Sequence, residues 1–151
     1  MKKLLISFIM FLITFNSAAK NIQKPNNIVV EKSARKMYLK YNDKILYKYN
    51  ISLGSDPQGA KSKEGDGKTP EGTYIISAHN PQSAYHLSLR ISYPNTEDIK
   101  RAKEQNVSAG GDIMIHGFPN KAPAFIFQFI HKYTDWTAGC IAVTNKEIEQ
   151  I

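Results

Sequence analysis

Apolar and polar residues alternate in short runs beyond residue 27, and this pattern predicts a chain made mainly of β-strands. Three such runs, at residues 28–30, 37–41 and 45–49, follow one another closely and are separated by polar turn residues such as Asn42. β-type runs joined by short polar turns are typical of antiparallel strands. These residues therefore predict a β-meander that opens the domain.

The rest of the chain predicts a long loop followed by further strands. Residues 55–72 are rich in Gly, Pro, Ser and charged residues, a composition that is typical of a loop. Residues 86–93 alternate apolar and polar side chains, as a half-buried strand does. His79, beside Asn80 and Pro81, is predicted to lie in a loop. The predicted strands of this part are residues 73–76, 86–93, 113–115 and 141–143.

Short helices are predicted at two positions, and a third segment is ambiguous. Residues 96–105 predict a helix that has Thr96 as its N-cap and acidic residues in its first turn. Thr144 or Asn145 is the predicted N-cap of a final helix. Residues 124–133 fit either a helix or a buried strand, because the period of their apolar residues does not separate the two. The predicted fold class is therefore mainly β with a few short helices.

The first residues have the order of a secretory signal peptide. Two lysines precede an apolar run at residues 4–15, and small residues then lead to a cleavage site after Ala19. An uncleaved membrane anchor is the alternative, but the apolar run is shorter than the ~20 residues of a spanning helix. We therefore predict a signal peptide at residues 1–19, a polar leader at 20–27 and one domain at 28–151. The protein is expected in the periplasm or cell wall, without stable membrane insertion after cleavage.

Length and charge limit the classes of function. The chain has 151 residues, the size of one domain, and 42% of them are hydrophobic, which is enough for a core without disulfides or metals. It carries 20 basic and 13 acidic side chains, and the basic residues are spread along the sequence. Such a spread is typical of a solvated surface, and attraction to a polyanion is the alternative. The sequence has no nucleic-acid-binding motif, so no nucleic acid is expected as a partner.

Two segments place a reactive side chain where an apolar strand meets a glycine. His116 follows the apolar run 113–115, and Cys140, the single cysteine of the chain, follows Gly139. A lone cysteine in an exported protein is a reactive thiol, an intermolecularly paired thiol or an inert buried one. A thiol becomes a nucleophile when a base such as imidazole takes its proton, and nearby amide N–H groups such as that of Gly139 can stabilise an oxyanion. Residue types alone leave a Cys–His pair and two unrelated side chains equally open.

Three ordered motifs resemble those of the L,D-transpeptidase (YkuD-type) catalytic domain family. They are GDGKTPEGTY at residues 65–74, IHG at residues 115–117 and TAGCI at residues 137–141. The longer run DWTAGCIAVTN at residues 135–145 and YHLSL at residues 85–89 resemble an envelope branch of that family. The resemblance extends from about residue 28 to the end of the chain.

The resemblance implies a β-sandwich or barrel and a thioester mechanism on peptidoglycan stem peptides. Cys140 would attack the carbonyl of an L-centre-to-D-centre bond, and His116 would take the thiol proton and return one to the leaving amine. A second stem amine would then complete crosslinking, whereas water would complete trimming or the release of a wall-attached protein. The resemblance implies no metal and no organic cofactor.

The chain departs from the family pattern in several places. Ala138 and Ala142 stand where the family commonly has His and Arg, so substrate anchoring is expected to differ. Cys140 follows His116 by 24 residues, which is longer than the usual interval and makes residues 121–133 a candidate lid or specificity element. The chain stops within its final predicted helix, whereas the family continues to another strand, so a truncated domain is one expectation.

Further residues are candidates for the site. Gly139, Thr137 and Gly117 are expected to support the nucleophile and an oxyanion. Thr137 and Asp135 are expected to steady the cysteine turn by local hydrogen bonds. His131 is a rival base or a lid residue. The substrate-binding candidates are Trp136, His131, His86 and Arg90, of which the first and third also fit structural roles. The carboxylate anchors considered in place of the missing arginine are Arg90, Lys68 and Lys121.

Two other functions remain open at this point. A catalytically silent wall-binding domain would keep the fold without a reactive Cys140. An exported thiol peptidase of another family would cleave ordinary peptides that lack D-residues. The reactivity of the thiol and the need for a D-residue in the substrate separate these functions from the first.

Overall fold

The computed structural model describes residues 23–151, and the predicted signal peptide lies outside the described residues. The first sheet is the predicted meander of β1 (Asn27–Glu31), β2 (Lys36–Tyr41) and β3 (Lys44–Asn50), antiparallel in that order. Along β2 the side chains of Met37 and Leu39 point inward and are buried, while their neighbours are partly exposed. The alternation seen in the sequence therefore corresponds to one buried and one exposed sheet face.

The second sheet carries the two segments with reactive side chains. It has four strands, of which the first three pair antiparallel and the last two pair parallel. Parallel neighbours need a long connection between them, and residues 117–140 provide it. The strands, in sheet order, are β4 (Ile76–Ser83), β5 (His86–Ile91), β6 (Met114–His116) and β7 (Ile141–Ala142).

The segment after β3 joins the two sheets. Ser52 forms an antiparallel bridge with Ala142, and Gly54 forms a parallel bridge with Thr137. The main core lies between the sheets and takes apolar side chains from both. Its buried members are Met37, Leu39, Tyr49, Ile51, Leu53, Ile115, Ile141, Val143 and Ile148. The predicted mainly β fold with a few short helices is confirmed.

Three short helices occur within residues 23–151: α1 (Thr96–Glu104), α2 (Ala124–Tyr133) and α3 (Asn145–Ile148). The ambiguous segment is thus helical, and Thr144 is the N-cap of α3. The prediction of Thr96 as the first N-cap is wrong. Asn95 holds that position, because its side-chain oxygen accepts from two first-turn amides and Asp98 completes a capping box. None of the helices in this part of the chain has the length and apolar character needed to span a bilayer.

The predicted strand at residues 73–76 is displaced. The strand begins at Ile76, since Tyr74 turns away to donate a 3.0 Å hydrogen bond to Asp98 on α1. It then continues through the segment predicted as loop, so the prediction for His79 is also wrong. β4 is the edge of its sheet, where Pro81 is tolerated because an edge strand has amides that need no ladder partner.

Candidate active site

The loop at residues 55–72 forms a firm support beneath the cysteine turn. The Asp66 carboxylate accepts hydrogen bonds from the amides of Ser62, Lys63 and Lys68 and forms a buried ion pair with Lys61 at 2.7 Å. Burial opposes the ionisation of Asp66, but these donors together outweigh it and hold the pKa of the carboxyl far below its usual range. Asp66 of the GDGKTPEGTY motif therefore fixes the conformation of the loop through these contacts.

Gly139 fits against this loop at the closest approach of two backbone segments. Its φ is +134°, and a methyl group on its α-carbon would lie 2.7 Å from the Lys68 carbonyl oxygen. Both observations require glycine at this position. The absence of a side chain at Gly139 thus allows the turn that carries Cys140 to pack directly against the loop.

Thr137 fixes the shape of the same turn. Its hydroxyl donates to the Cys140 carbonyl at 2.7 Å and accepts from the Gly139 amide at 3.1 Å. The Gly139 N–H is therefore engaged and not free for an oxyanion, in contrast to the role considered for it. The Cys140 N–H makes no hydrogen bond within residues 23–151, which leaves it as the available donor of this turn.

Cys140 is a half-buried thiol in its resting arrangement. Its Sγ lies 3.6 Å from the Asp112 carbonyl oxygen, a distance suited to a weak S–H donor. Burial raises the pKa of the Cys140 thiol above its ordinary value of 9.0, against a smaller opposing effect from the Met114 amide. The group is therefore protonated at neutral pH.

His116 ends strand β6 and is 4% exposed. Its Nδ1 lies 2.7 Å from the Gly117 carbonyl oxygen, which can only accept, so Nδ1 carries the proton of the neutral ring and Nε2 is the basic nitrogen. Burial lowers the pKa of His116 below its ordinary value of 6.5. The imidazole is consequently neutral at pH 7, the form in which it can accept a proton.

The parallel pairing of β6 and β7 places the two reactive side chains on one face of the sheet. Ile115 is level with Ile141 and His116 is level with Ala142, so Cys140 falls beside Met114, two residues before the histidine. Residues two apart on a strand share a face. Ala142, where the family commonly has arginine, therefore stands next to the histidine and brings no cation to it.

His116 and Cys140 open to the same cleft, which has a volume of about 560 Å³. Trp136 also lines it, with its ring 5.7 Å from the His116 ring in an edge-on arrangement. The Trp136 Nε1 is enclosed and has no hydrogen-bond partner among the described residues. Asp112 is the one acidic residue among those that line the cleft. Within residues 23–151, no group of three His, Cys, Asp or Glu side chains is placed to hold a metal ion.

Gly117 supports the histidine through its carbonyl group. Its own N–H is shared between the carbonyl oxygens of Tyr85 and Leu87, at 3.1 and 3.2 Å. A methyl group at Gly117 would lie 2.7 Å from the Asn145 side-chain oxygen. Gly117 is therefore a positioning element, and its amide is not an oxyanion donor.

His131 lies away from the cleft, so its predicted roles as base or substrate contact are wrong. It is buried on the inner side of α2, where Nδ1 is 2.9 Å from the Ser52 hydroxyl and Nε2 is 3.2 Å from the Asn50 carbonyl oxygen. Both ring nitrogens thus anchor the helix to the segment after β3. Asp135 is likewise structural, because it pairs with Arg35 and accepts from the Leu53 amide.

The other predicted contacts lie at or beyond the rim. His86 is half exposed, pairs with Glu149 at 2.6 Å and does not line the cleft, which corrects its predicted place in the pocket. Arg90 reaches the rim through a 2.9 Å ion pair with Asp112. Lys68 is engaged with Asp56 and is not a free anchor, and Lys121 does not line the cleft.

Asp112 is one of the cleft residues that the sequence prediction missed. It follows two glycines and has φ +55°, a conformation that aspartate tolerates better than most residues. Its carbonyl oxygen faces the thiol and its carboxylate faces Arg90. The Gly-Gly-Asp sequence shortly before a strand was the available signal. Phe127 of α2 also lines the cleft, so the segment predicted as a lid does border the site.

Comparison with known proteins places this architecture in a family. A family model described as YkuD, L,D-transpeptidase catalytic domain, matches residues 25–151. "Putative L,D-transpeptidase YafK" of Escherichia coli K12 is 29% identical over 128 residues, which cover 82% of this chain and 44% of that protein. The chain therefore spans less than half of the length of the curated relatives it matches.

Two solved structures share the fold. The helical cell shape determining protein Pgp2 of Campylobacter jejuni superimposes with a TM-score of 0.58 at 29% identity, covering 83% of this chain and 43% of that one. Bdellovibrio bacteriovorus Bd1075 superimposes with a TM-score of 0.52 at 26% identity, covering 85% and 45%. Each covers most of the described chain.

Proposed function

Because this chain belongs to the YkuD L,D-transpeptidase catalytic-domain family, we propose that it is a cysteine acyl-transfer enzyme acting on peptidoglycan stem peptides. Cys140 is the proposed nucleophile and His116 the proposed base. The observation that carries the proposal is their placement at the ends of two neighbouring parallel strands, where both line one cleft. His116 Nδ1 lies against the Gly117 carbonyl oxygen, so Nε2 is the basic atom.

The protonation states favour general-base catalysis over a preformed ion pair. Cys140 is held as a thiol and His116 as a neutral imidazole, so the proton moves from Sγ to Nε2 as sulfur attacks the carbonyl carbon. The Cys140 amide, the unengaged N–H of the turn, is the proposed donor to the resulting oxyanion. Collapse then expels the amine, which takes the proton from the imidazolium and leaves a thioester.

The second half of the reaction reverses these roles. An amine or a water molecule attacks the thioester carbonyl and gives its proton to His116, and the thiolate takes that proton as it leaves. An amine yields a new peptide bond, whereas water yields a free carboxylate. Hydrolysis at a wall-attached protein would release that protein.

Substrate anchoring is proposed at the rim of the cleft. Ala142 supplies no cation beside His116, whereas Arg90 is held at the edge of the lining by its ion pair with Asp112. Arg90 is half exposed, so it can exchange Asp112 for a substrate carboxylate at little cost, since surface ion pairs contribute ~0–1 kcal/mol. Trp136 is the proposed apolar wall against the scissile segment.

Location in the periplasm or cell wall accompanies this proposal, because the substrate is found there. A contribution to cell shape, which the name of Pgp2 states for that protein, is proposed on the same basis. A catalytically silent wall-binding domain is the second candidate. It is favoured by one observation, that the resting thiol contacts the Asp112 carbonyl rather than the imidazole.

Mass spectrometry of muropeptides of defined stem length tests the proposal. The chain from Lys20 is expected to convert them, Cys140→Ala to be inactive and His116→Gln to be slower by ~10²–10⁴-fold. His79→Gln is the matched control, since His79 is exposed on β4 and outside the cleft. A folded native protein that leaves every muropeptide unchanged and forms no acyl adduct would favour the silent domain. Equal conversion of peptides without D-residues would favour a thiol peptidase.

A further inference from the structure

Helix α2 presents an apolar face to solvent that the catalytic proposal does not use. Phe125 is 74% exposed, Phe129 70%, Tyr133 62% and Ile126 42%. These four side chains, named here the outer face of α2, fall within about 100° of arc on a helical wheel. Exposed aromatic residues grouped in this way mark an interaction surface.

The opposite side of the helix packs against the rest of the domain. Phe127 packs on Phe118 and on Trp136, at ring separations of 6.1 and 4.9 Å, and His131 is buried against Ser52. The helix is therefore fixed to the rim of the cleft by its inner side. The outer face cannot turn inward without breaking these contacts, so it stays available to a partner.

The segment that carries the outer face contributes positive charge and no acidic side chain of its own. Residues 119–134 contain Lys121 and Lys132 and no acidic side chain. Lys132 lies 5.1 Å from the centre of the Tyr133 ring, at the border of the outer face. Aromatic side chains bordered by lysines are the composition of helices that lie in the plane of an anionic bilayer surface.

We propose that the outer face of α2 binds the surface of an anionic phospholipid bilayer. The aromatic rings enter the region between headgroups and acyl chains, while Lys121 and Lys132 contact the headgroup phosphates. The inner side of α2 borders the cleft through Phe127, so binding would hold the cleft at the bilayer surface. This inference does not depend on catalysis at Cys140.

Co-sedimentation with vesicles tests the proposal. The chain from Lys20 keeps every described residue and lacks the apolar run at residues 4–15, which would itself bind lipid. We expect binding to vesicles of phosphatidylglycerol and phosphatidylethanolamine to be at least ~10-fold tighter than to phosphatidylcholine, because two lysines meet an anionic surface. Added salt is expected to weaken it.

Two double variants distinguish binding through the outer face of α2 from nonspecific adsorption of exposed apolar side chains. Phe125→Ser with Phe129→Ser is expected to weaken binding at least ~10-fold by removing two inserted rings. Ile99→Ser with Val107→Ser removes two other exposed apolar side chains and is expected to bind as the native protein does. Circular dichroism checks that each variant is folded.

Three results would overturn the proposal. The first is equal vesicle binding by the native and the Phe125→Ser/Phe129→Ser proteins. The second is a native dimer in light scattering that becomes a monomer in that variant, which would assign the face to a second copy of the chain. The third is a native protein that neither binds vesicles nor self-associates, which would assign the face to a protein partner.

Discussion

Replacing Gly139 by alanine tests whether the cysteine turn depends on close backbone contact. The added methyl group would meet the Lys68 carbonyl oxygen at 2.7 Å and Ile113 Cδ1 at 3.2 Å, and φ of +134° is unfavourable for alanine. A residue held in such a region costs ~1–3 kcal/mol, and a backbone oxygen cannot rotate away from the clash. We expect the free energy of unfolding to fall by ~3 kcal/mol.

Alanine substitutions at two other glycines serve as references for the loss of stability in Gly139→Ala. A methyl group added at Gly111 would have no atom within 4 Å and the φ there is ordinary, whereas Gly59 has the same free space but φ of +74°. Gly111→Ala is expected to change stability by less than ~0.5 kcal/mol. Gly59→Ala is expected to lose ~1 kcal/mol from the left-handed backbone alone. The excess loss in Gly139→Ala then measures the contact with the loop together with the greater backbone strain at φ of +134°.

Urea unfolding followed by fluorescence of Trp136 measures all three variants. Slopes of the unfolding curves should agree, so that midpoints report stability alone. A loss of ~3 kcal/mol corresponds to a melting temperature lower by roughly 10 °C in a domain of this size. If Gly139→Ala and Gly111→Ala unfold at the same midpoint, the turn is not held against the loop as described.

Two further predictions concern protonation. Alkylation of Cys140 by iodoacetamide should increase with pH through an apparent pKa above 9, because burial favours the thiol, and a plateau between pH 6 and 8 would instead indicate a thiolate–imidazolium pair. The stability contributed by the two buried histidines should be fully present above pH 6.5 and should be lost as the pH falls below it. His116 and His131 both have folded-state pKa values below 6.5, so the unfolded chain binds protons more readily as pH decreases through that value. Urea unfolding midpoints at pH 7.5 and 5.0 measure this loss of stability. Equal midpoints at the two pH values would contradict the prediction.

The sequence pattern predicted elements whose determinants are local. The meander followed from alternation and polar turns, and both are properties of adjacent residues. β4 was displaced in the prediction because every residue from Ile76 to Gln82 is exposed, so an edge strand showed no apolar face. α2 was ambiguous because its outer face is apolar as well as its inner one, which removes the amphipathic signal.

Candidate residues of the site were predictable where a motif carried them, and contacts between distant residues were not. Cys140 and His116 were singled out by their positions at strand ends, and their roles remain proposals. The pairing of His131 with Ser52 joins residues 79 positions apart, and no local pattern encodes it. The use of the Gly139 amide by Thr137 depends on turn geometry, which residue types leave undetermined.

The burial of the Cys140 sulfur also bears on how long the thiol survives. Oxidation by peroxides begins at the thiolate, and a raised pKa keeps that form scarce at neutral pH. No second cysteine exists in the chain to reduce a sulfenic acid through a disulfide. A resting thiol directed at the Asp112 carbonyl therefore slows oxidation of the single sulfur at neutral pH, and any condition that favours the thiolate, such as a higher pH, makes it vulnerable.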